Sequence, residues 1–566
     1  MAILQRRRAA VEDEGVYIGG WSVRKALAPI RVNGHVGECK RSDRSMQKLT
    51  NTESSQDRAE HVSAVQDWTD AEERALVRKL DLRVLFPCCI VYFFAYLDRA
   101  NLGFAAVMQA GTEENIEEDL GLEGIDFNWA VSITYFMVTL LLLPSNLLMK
   151  KFSGKRYFPI IMCLFGTIVA CVSAVQNSAG LYAARFFLGV PESGVVPASI
   201  MYFSFWYKPS ERAWRIGVFH AANSLASGVG GFLAIGVSKI NGHLGLEGWR
   251  WLFIIEGCMP IVMSVPVYFL LLTFPEDSKA LNERERHIAI NRFGRGATRQ
   301  TDVSFSWPAF AQVMSRPSTY IFFFSYICLL IVAVSLGTFL PIILKTFAGF
   351  SSNQANGYTS AIYFVAIVEY LLWSWHSDWT RERMWHYLLP AAGALPCFAV
   401  WTYVASKQSF GDIQPLSLYG LAFLGNLVSI AQPAALAYRS STLYGASEQA
   451  IGGATAVASL SIASIIGPQI YPIPDRPWFL PGFSAACGAL VCTLIGYASL
   501  PFWLLWEARR RKKKYGHAMP LRALDDAQHA HISDAARARE QEQAMREEKQ
   551  QGDRESSDHL EEVEMR

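Results

Sequence analysis

The sequence predicts an all-α membrane protein whose twelve transmembrane helices form two six-helix halves. Three observations lead there. Of the 566 residues, 51% are apolar, mean hydropathy is +0.17, and charge is unevenly placed: residues 1–83 and 507–566 hold 55 of the 102 charged side chains. The long middle is too apolar for a soluble domain. A bilayer core of about 30 Å needs about 20 mostly apolar residues per helix, and twelve stretches qualify: 84–109, 128–149, 157–176, 181–206, 214–238, 250–273, 319–343, 357–376, 386–405, 416–436, 450–471 and 481–506. Finally, a polar connection at 275–318 separates six spans from six, which suggests halves related by a pseudo-two-fold axis along the membrane normal, with a cavity between them.

The domains expected are therefore a tail with a juxtamembrane helix (1–83), a first half (84–274), a connecting segment (275–318), a second half (319–506) and a C-terminal tail (507–566). Before span 1, Thr69-Asp-Ala-Glu72 has capping-box spacing and opens a helix through Ala75, Leu76 and Leu80. In the connection, Leu281 to Ile288 and Phe305 to Ser315 read as short helices on the membrane surface, with Trp307, Phe310 and Met314 sharing a face. The run Arg509 to Lys514 suits an anionic leaflet, and the sequence beyond it is too polar to form a core. The first residues, Met1 to Arg8, are followed by polar sequence, so no cleaved signal peptide is expected. Residues 1–45 differ in character from the capped helix, which makes Met46 an alternative start.

Orientation follows from Lys and Arg. The connections after spans 2, 4, 6, 8 and 10 carry about 17 and the others about five, while loop 110–127 is acidic throughout. Both termini are expected in the cytoplasm, with the plasma membrane the expected location. Net charge of +2 gives no reason to expect a nucleic-acid partner, and nine of the ten cysteines sit in apolar runs without metal-ligand spacing. No Gly-x-x-x-x-Gly-Lys-Ser/Thr is present. No enzyme activity, metal or cofactor is expected, and work across the membrane should draw on an ion gradient.

Ionisable residues inside spans are the informative ones, because a charge at the bilayer centre costs several kcal/mol unless paired or wet. Span 1 carries Asp98 and Arg99, with Asn101 beside them; span 4 carries Arg185 and Glu192. At ~1.5 Å of rise per residue, Asp98 lies about 21 Å from the inner boundary, Arg185 about 7 Å and Glu192 about 18 Å below the outer one. Two acids and two bases at mid-depth suit an anion whose binding is linked to protonation of a carboxylate. Asp98 and Glu192 are the candidate proton carriers, and Arg99, Arg185, Asn101 and Asn426 the candidate substrate ligands. The competing reading is a set of structural ion pairs between helices. Glu256 either joins this group or pairs with Arg250 to seal the end of span 6. Glu369 lines the cavity or faces a neighbouring helix, His220 reads as a packing residue, and Tyr326, Tyr363 and Gln432 are further neutral candidates.

These residues carry a resemblance. The twelve-span plan looks like the major facilitator superfamily. Tyr-Leu-Asp98-Arg99-Ala-Asn101, Arg185-x-x-x-Gly189-x-x-Glu192, Gly248-Trp-Arg-Trp-Leu-Phe-Ile-Ile-Glu256-Gly and Phe-Pro-Glu276-Asp resemble its anion:cation symporter branch, especially the fungal allantoate permease-like transporters. The resemblance covers about residues 70 to 506. It implies that Asp98 and Glu192 couple protons, that Arg99 and Arg185 bind a substrate carboxylate, and that the cargo is a small organic anion such as a ureide or vitamin. The loop after span 2, Asn146 to Arg156, departs from the usual Gly-x-x-x-Asp-Arg pattern, whereas Ser377-Asp378-Trp-Thr-Arg381-Glu-Arg383 after span 8 keeps an acid and bases. Lys150, Lys151, Arg156, Asp378, Arg381 and Arg383 are the expected gating charges. Around span 10, Ala437 to Gln449 lacks the Asn-x-x-Gly-x-x-Lys-Arg of many allantoate-type members.

The expectation is a monomeric secondary transporter taking up an organic carboxylate with protons by alternating access in a lipid bilayer. Proton-driven export of a metabolite or drug is the alternative, although span 5 reads Asn223 to Gly231 without the Gly-Pro motif of drug antiporters. A nutrient receptor on a transporter scaffold is the second alternative.

Overall fold

The structure, a computed structural model, describes residues 17–18, 21–22, 67–292, 307–380, 383–410, 413–443 and 445–515. The Met46 reading, Arg381 and the distal C-terminal tail fall outside them. With no water in a bilayer core to satisfy backbone groups, a helix is the economical way to cross, and helices dominate throughout. The one extended pairing among the described residues is a two-residue antiparallel contact between β1 (Tyr17–Ile18) and β2 (Trp21–Ser22) in the N-terminal tail.

Helix α1 (Asp70–Leu80) starts at the predicted capping box: the Thr69 hydroxyl accepts from the Glu72 amide at 3.3 Å, and the Glu72 carboxylate accepts from the Thr69 amide at 2.8 Å. That backbone bond, with the Arg284 guanidinium beyond it, holds the Glu72 carboxyl below its ordinary range. A π-helical turn, Asp81–Leu85, carries the chain into α2 (Phe86–Ala105), the first span. After the four-residue α3 (Ile116–Asp119) comes α4 (Asp126–Val172), in which spans 2 and 3 are joined without a conventional loop. The reversal is made at Ser153, whose φ of 62° is left-handed.

Span 4 is one apolar stretch, Ser178–Trp206, in which α5 (Ser178–Glu192), capped by Asn177, passes through right-handed Ser193 and Gly194 into α6 (Val195–Trp206). Next come α7 (Pro209–Ser238), α8 (Gly248–Leu270), the short α9 (Glu283–Asn291) and α10 (Trp307–Met314) of the connection, α11 (Pro317–Thr346), α12 (Ser352–Thr380), α13 (Met384–Lys407), α14 (Pro415–Ser441), α15 (Gly445–Ile466) and α16 (Leu480–Tyr515). Proline opens α7, α11 and α14, where its missing N–H costs nothing. By length and hydropathy ten helices among the described residues are clear membrane spans; the first arm of α4 is a shorter apolar helix, and α12 is long but more polar. The final helix runs on past the expected span through the basic residues Arg509 to Lys514.

Among the first six spans, α4 packs on α5 and α8, and α2 on α7; among the last six, α13 packs on α14 and α16, and α11 on α15 and α16. The two sets meet through α7 with α12, α4 with α15, and α2 with α11. Hydrogen bonds across that seam cluster on the side opposite the chain termini. Asn128 donates to the Pro468 and Tyr471 carbonyls at 2.5 and 2.9 Å, Ser132 to the Ile465 carbonyl at 2.9 Å, and Arg476 pairs with both Glu117 oxygens at 2.6 and 2.7 Å.

Small residues set the closest approaches. A Cβ on Gly166 of α4 would stand 2.7 Å from the Gly257 carbonyl of α8, and one on Gly257 would stand 2.4 Å from the Ala170 amide. Gly166→Val is therefore expected to lower stability by about 1–3 kcal/mol through overpacking, read as a lower thermal-unfolding midpoint of detergent-purified protein. An unchanged midpoint would show that the α4–α8 contact tolerates a wider spacing.

Candidate functional site

The four charges singled out in the sequence meet as two ion pairs. Asp98 and Arg99 are consecutive on α2 and so point about 100° apart, whereas Arg185 and Glu192 lie two turns apart on one face of α5. Arg185 Nη1 donates to Asp98 Oδ2 at 3.1 Å. Arg99 reaches Glu192 Oε2 with both Nε and Nη2 at 2.9 Å. Asp98, Arg185 and Glu192 are 2%, 3% and 1% exposed, and the Arg99 side chain is 17% exposed.

The pairs are only partly satisfied by protein. Asp98 Oδ1, Glu192 Oε1, Arg185 Nε and Nη2, and both side-chain atoms of Asn101 are buried without a protein partner. A purely structural pair repays its desolvation by using its remaining hydrogen-bonding positions; here several are held in reserve. Aromatic faces support the cations instead. Arg99 stands 5.4 Å from the Tyr135 ring and 5.9 Å from that of Tyr96, and Arg185 stands 5.5 Å from Phe253 of α8.

The backbone holds α5 in place. Thr134 of α4 donates to the Arg185 carbonyl at 2.9 Å, and a Cβ on Gly189 would stand 2.3 Å from the Thr134 carbonyl oxygen. Glu192 ends α5, and the interruption at Ser193-Gly194 follows at once. Gly194 is fixed there by close approach: a Cβ would collide with the hydrogen-bonded Ser145 and Tyr157 hydroxyls.

Other sequence candidates fall differently. Glu256 is not the partner of Arg250. Arg250 pairs with Asp119 at 2.6 Å and Glu247 at 2.5 Å and donates to the Ser173 and Val175 carbonyls, so it fastens the far ends of α4 and α8. Glu256 lies deeper, 3% exposed, within Coulombic reach of Asp98 and Arg185, with neither carboxyl oxygen hydrogen-bonded to protein. Asn426 is buried and accepts from Ser429 on its own helix at 3.4 Å, leaving its Nδ2 without a protein partner. Tyr363 donates to the Gly337 carbonyl at 3.2 Å and lies within Coulombic reach of Tyr96. Tyr326 stacks on Phe322, and Glu369 is half-buried. His220 packs edge-on to Tyr92, with Nδ1 3.5 Å from its hydroxyl.

Of the expected gating charges, Lys150, Lys151 and Arg156 are exposed beside the Ser153 reversal, Lys151 standing over the Phe152 ring. Arg383 donates to Ser377 Oγ at 3.0 Å, and Asp378 lies near the end of α12. Tyr96, Tyr135 and Phe253 were not among the sequence candidates. Tyr96 could have been found, since it stands three residues before Arg99 and so on its face; Tyr135 and Phe253 carry no signal that separates them from other aromatic residues in spans.

A family profile of the Major Facilitator Superfamily matches residues 88–468. An uncharacterised transporter of Schizosaccharomyces pombe is 28% identical over 78% of this chain and 85% of its own length. A protein of Agrobacterium vitis described as a candidate tartrate transporter is 33% identical over 56% of this chain and 71% of its own length. Among solved structures, a bacterial homologue of the human lysosomal transporter Spinster, in an inward-facing conformation, superposes with a TM-score of 0.55 at 16% identity, covering 74% of this chain and 96% of that one.

The pairing makes a testable statement about charge. Arg99→Ala leaves Glu192 buried without its hydrogen-bonded cation and is expected to cost about 3–5 kcal/mol. Adding Glu192→Gln should recover much of that loss, as measured by thermal unfolding of both purified variants. Equal destabilisation in the single and double variants would mean that the Arg99–Glu192 pair does not carry the burial.

Proposed function

Because the chain belongs to the Major Facilitator Superfamily, and is therefore a multi-pass membrane transporter rather than an enzyme, we propose that it is a proton-coupled symporter of the anion:cation branch. It carries a small organic carboxylate into the cytosol. The observation that carries this reading is the pair of buried, incompletely satisfied ion pairs Asp98–Arg185 and Arg99–Glu192. An acid bound to an arginine competes with any carboxylate that would bind there. Protonating the acid removes the competitor and leaves a cation with free donors, so proton and anion occupancy are linked. The description of the Agrobacterium relative supports a hydroxy-carboxylate as a first cargo to try.

In this reading Asp98 and Glu192 take the protons, Arg99 and Arg185 hold the carboxylate, and Asn101 and Asn426 contribute neutral contacts from the two halves. The halves, 84–274 and 319–506, rock about the site, with 275–318 linking them and the charges around Lys150 and Arg383 adjusting as they move. Both tails lie in the cytoplasm and the protein in the plasma membrane. With that orientation, the hydrogen bonds that Asn128 and Ser132 donate to the second half, and those that Glu117 accepts from Arg476, close the outer side.

The test is uptake of labelled carboxylates, tartrate among them, into liposomes holding purified protein under an imposed proton gradient. Accumulation driven by inward proton movement is expected. Movement of a larger metabolite against a counter-directed gradient, with no carboxylate accumulated, would make the protein an exporter instead. Arg185→Ala is expected to abolish anion binding. Glu192→Gln should keep part of the anion exchange while losing accumulation against a gradient; full pH-dependent uptake by that variant would remove Glu192 from the coupling.

A further inference from the structure

Among the described residues, Glu256 is the buried acid near the site to which the ion pairs give no role. It sits on α8 one turn beyond Phe253, the ring that lies against the Arg185 guanidinium. Both its oxygens are buried and hydrogen-bonded to no protein group, and among the described residues the charged groups that act on it are Asp98 from α2 and Arg185 from α5. The next residue, Gly257, packs on Gly166 and Ala170 of α4, small residues that bring no titratable group. The local balance is then decisive. Asp98 neutralises Arg185 and Glu192 neutralises Arg99, so an ionised Glu256 would be a fifth charge without a counter-ion, at a cost of several kcal/mol in a low-dielectric interior. Burial of this kind disfavours the ionised form.

Arg185 meanwhile uses one of its donors on Asp98 and keeps Nε and Nη2 unpartnered, with the Glu256 side chain inside its Coulombic range. We propose that Glu256 is a second partner for Arg185, exchanging one proton with Asp98 as the guanidinium moves between them. In the arrangement seen, Asp98 is ionised and bound to Arg185 while Glu256 holds the proton. In the other, the proton is on Asp98 and Arg185 is bound to ionised Glu256. One proton moves one way and one ion pair the other, and the net charge of the three groups is zero in both, so neither arrangement buries an unpaired charge.

This deepens, and rests on, the reading of proton-coupled anion transport: Arg185 becomes free for a substrate carboxylate when both acids hold protons, so a single proton on either acid leaves it engaged. Glu256 thereby acts through Arg185 as a positioning residue.

Infrared difference spectroscopy of purified protein in lipid tests the exchange directly. A carbonyl band of a protonated carboxylic acid is expected in the unmodified protein at neutral pH and should be absent from Glu256→Gln. In Asp98→Asn, Arg185 has lost its partner, so Glu256 should ionise and the same band should disappear. Persistence of the band in Asp98→Asn would overturn the proposal, because Glu256 would then be a permanently neutral packing residue; so would a spectrum unchanged by Glu256→Gln.

Thermal unfolding gives a second, independent readout. Asp98→Asn alone should be destabilised modestly, and adding Glu256→Gln should cost far more than the two single changes together, since Arg185 is then buried alone. Additive effects would count against the exchange. Uptake by the unmodified protein in liposomes separates the two levels: absence of proton-driven uptake refutes the proposed function, whereas the infrared band and the stability cycle decide the role of Glu256 whatever the cargo.

Discussion

Charge in a place that cannot solvate it is the constraint around which this molecule is arranged. Four ionised side chains buried within apolar spans would be ruinous singly and are tolerable as two neutral pairs. That requirement fixes how α2 and α5 face each other. Consecutive residues on α2 diverge by about 100° and therefore reach different turns of α5, which is why the partners on α5 are seven residues apart and not adjacent. The long arginine stems make the arrangement possible, because each spans a gap between helix axes that an aspartate or glutamate alone could not bridge.

The rest of the packing serves to keep those two helices where the pairs need them. Gly189 brings α5 against the Thr134 carbonyl of α4, and Gly194 lets the break after Glu192 settle onto Ser145 and Tyr157. Far from the site, acids of loop 110–127 find their cations in other segments: Asp119 holds Arg250, and Glu117 holds Arg476 of the second half. On the terminal side, Lys79 of α1 pairs with Glu285 of α9, Arg284 with Asp67 and Glu72, and Arg215 with Asp81. These exposed or half-exposed contacts are individually weak. Their joint effect is to tie the juxtamembrane helix and the connection to the first half, while the strong hydrogen bonds between halves lie at the opposite face. A scaffold fastened this way can hinge, because the terminal-side ties run within one half and its linker.

The charged residues of the site were legible in the sequence because each stands out in an apolar span, and hydropathy alone places the helices. Which acid meets which base was not legible, since that depends on the rotation of each helix about its axis. The Glu256 alternatives show a signal that was available. Arg250 and Glu256 are six residues apart, so they sit about 120° apart around α8 and about 9 Å along it, too far round to meet. Spans 2 and 3 were separated correctly, yet the single-residue reversal at Ser153 carries no residue-type signal; the neighbouring Gly154 would have been the natural guess. Tyr135 and Phe253, which support the guanidinium groups, are aromatic residues among many.

The choice of arginine at both cationic positions follows from the same economy. A lysine at 99 or 185 would be a point charge that can lose its proton when its acid is neutralised, so protonating the acid would leave nothing to attract an anion. Arginine stays charged, and its planar fork offers donors along more than one edge. Arg185 spends Nη1 on Asp98 and keeps Nε and Nη2, while Phe253 lies against its face and needs no donor. A guanidinium held by an aromatic face on one helix and an acid on another has two independent anchors of unequal reversibility. The acid can be switched off by a proton and the ring cannot. Losing the acid therefore need not mean losing position, because the ring stays where it is.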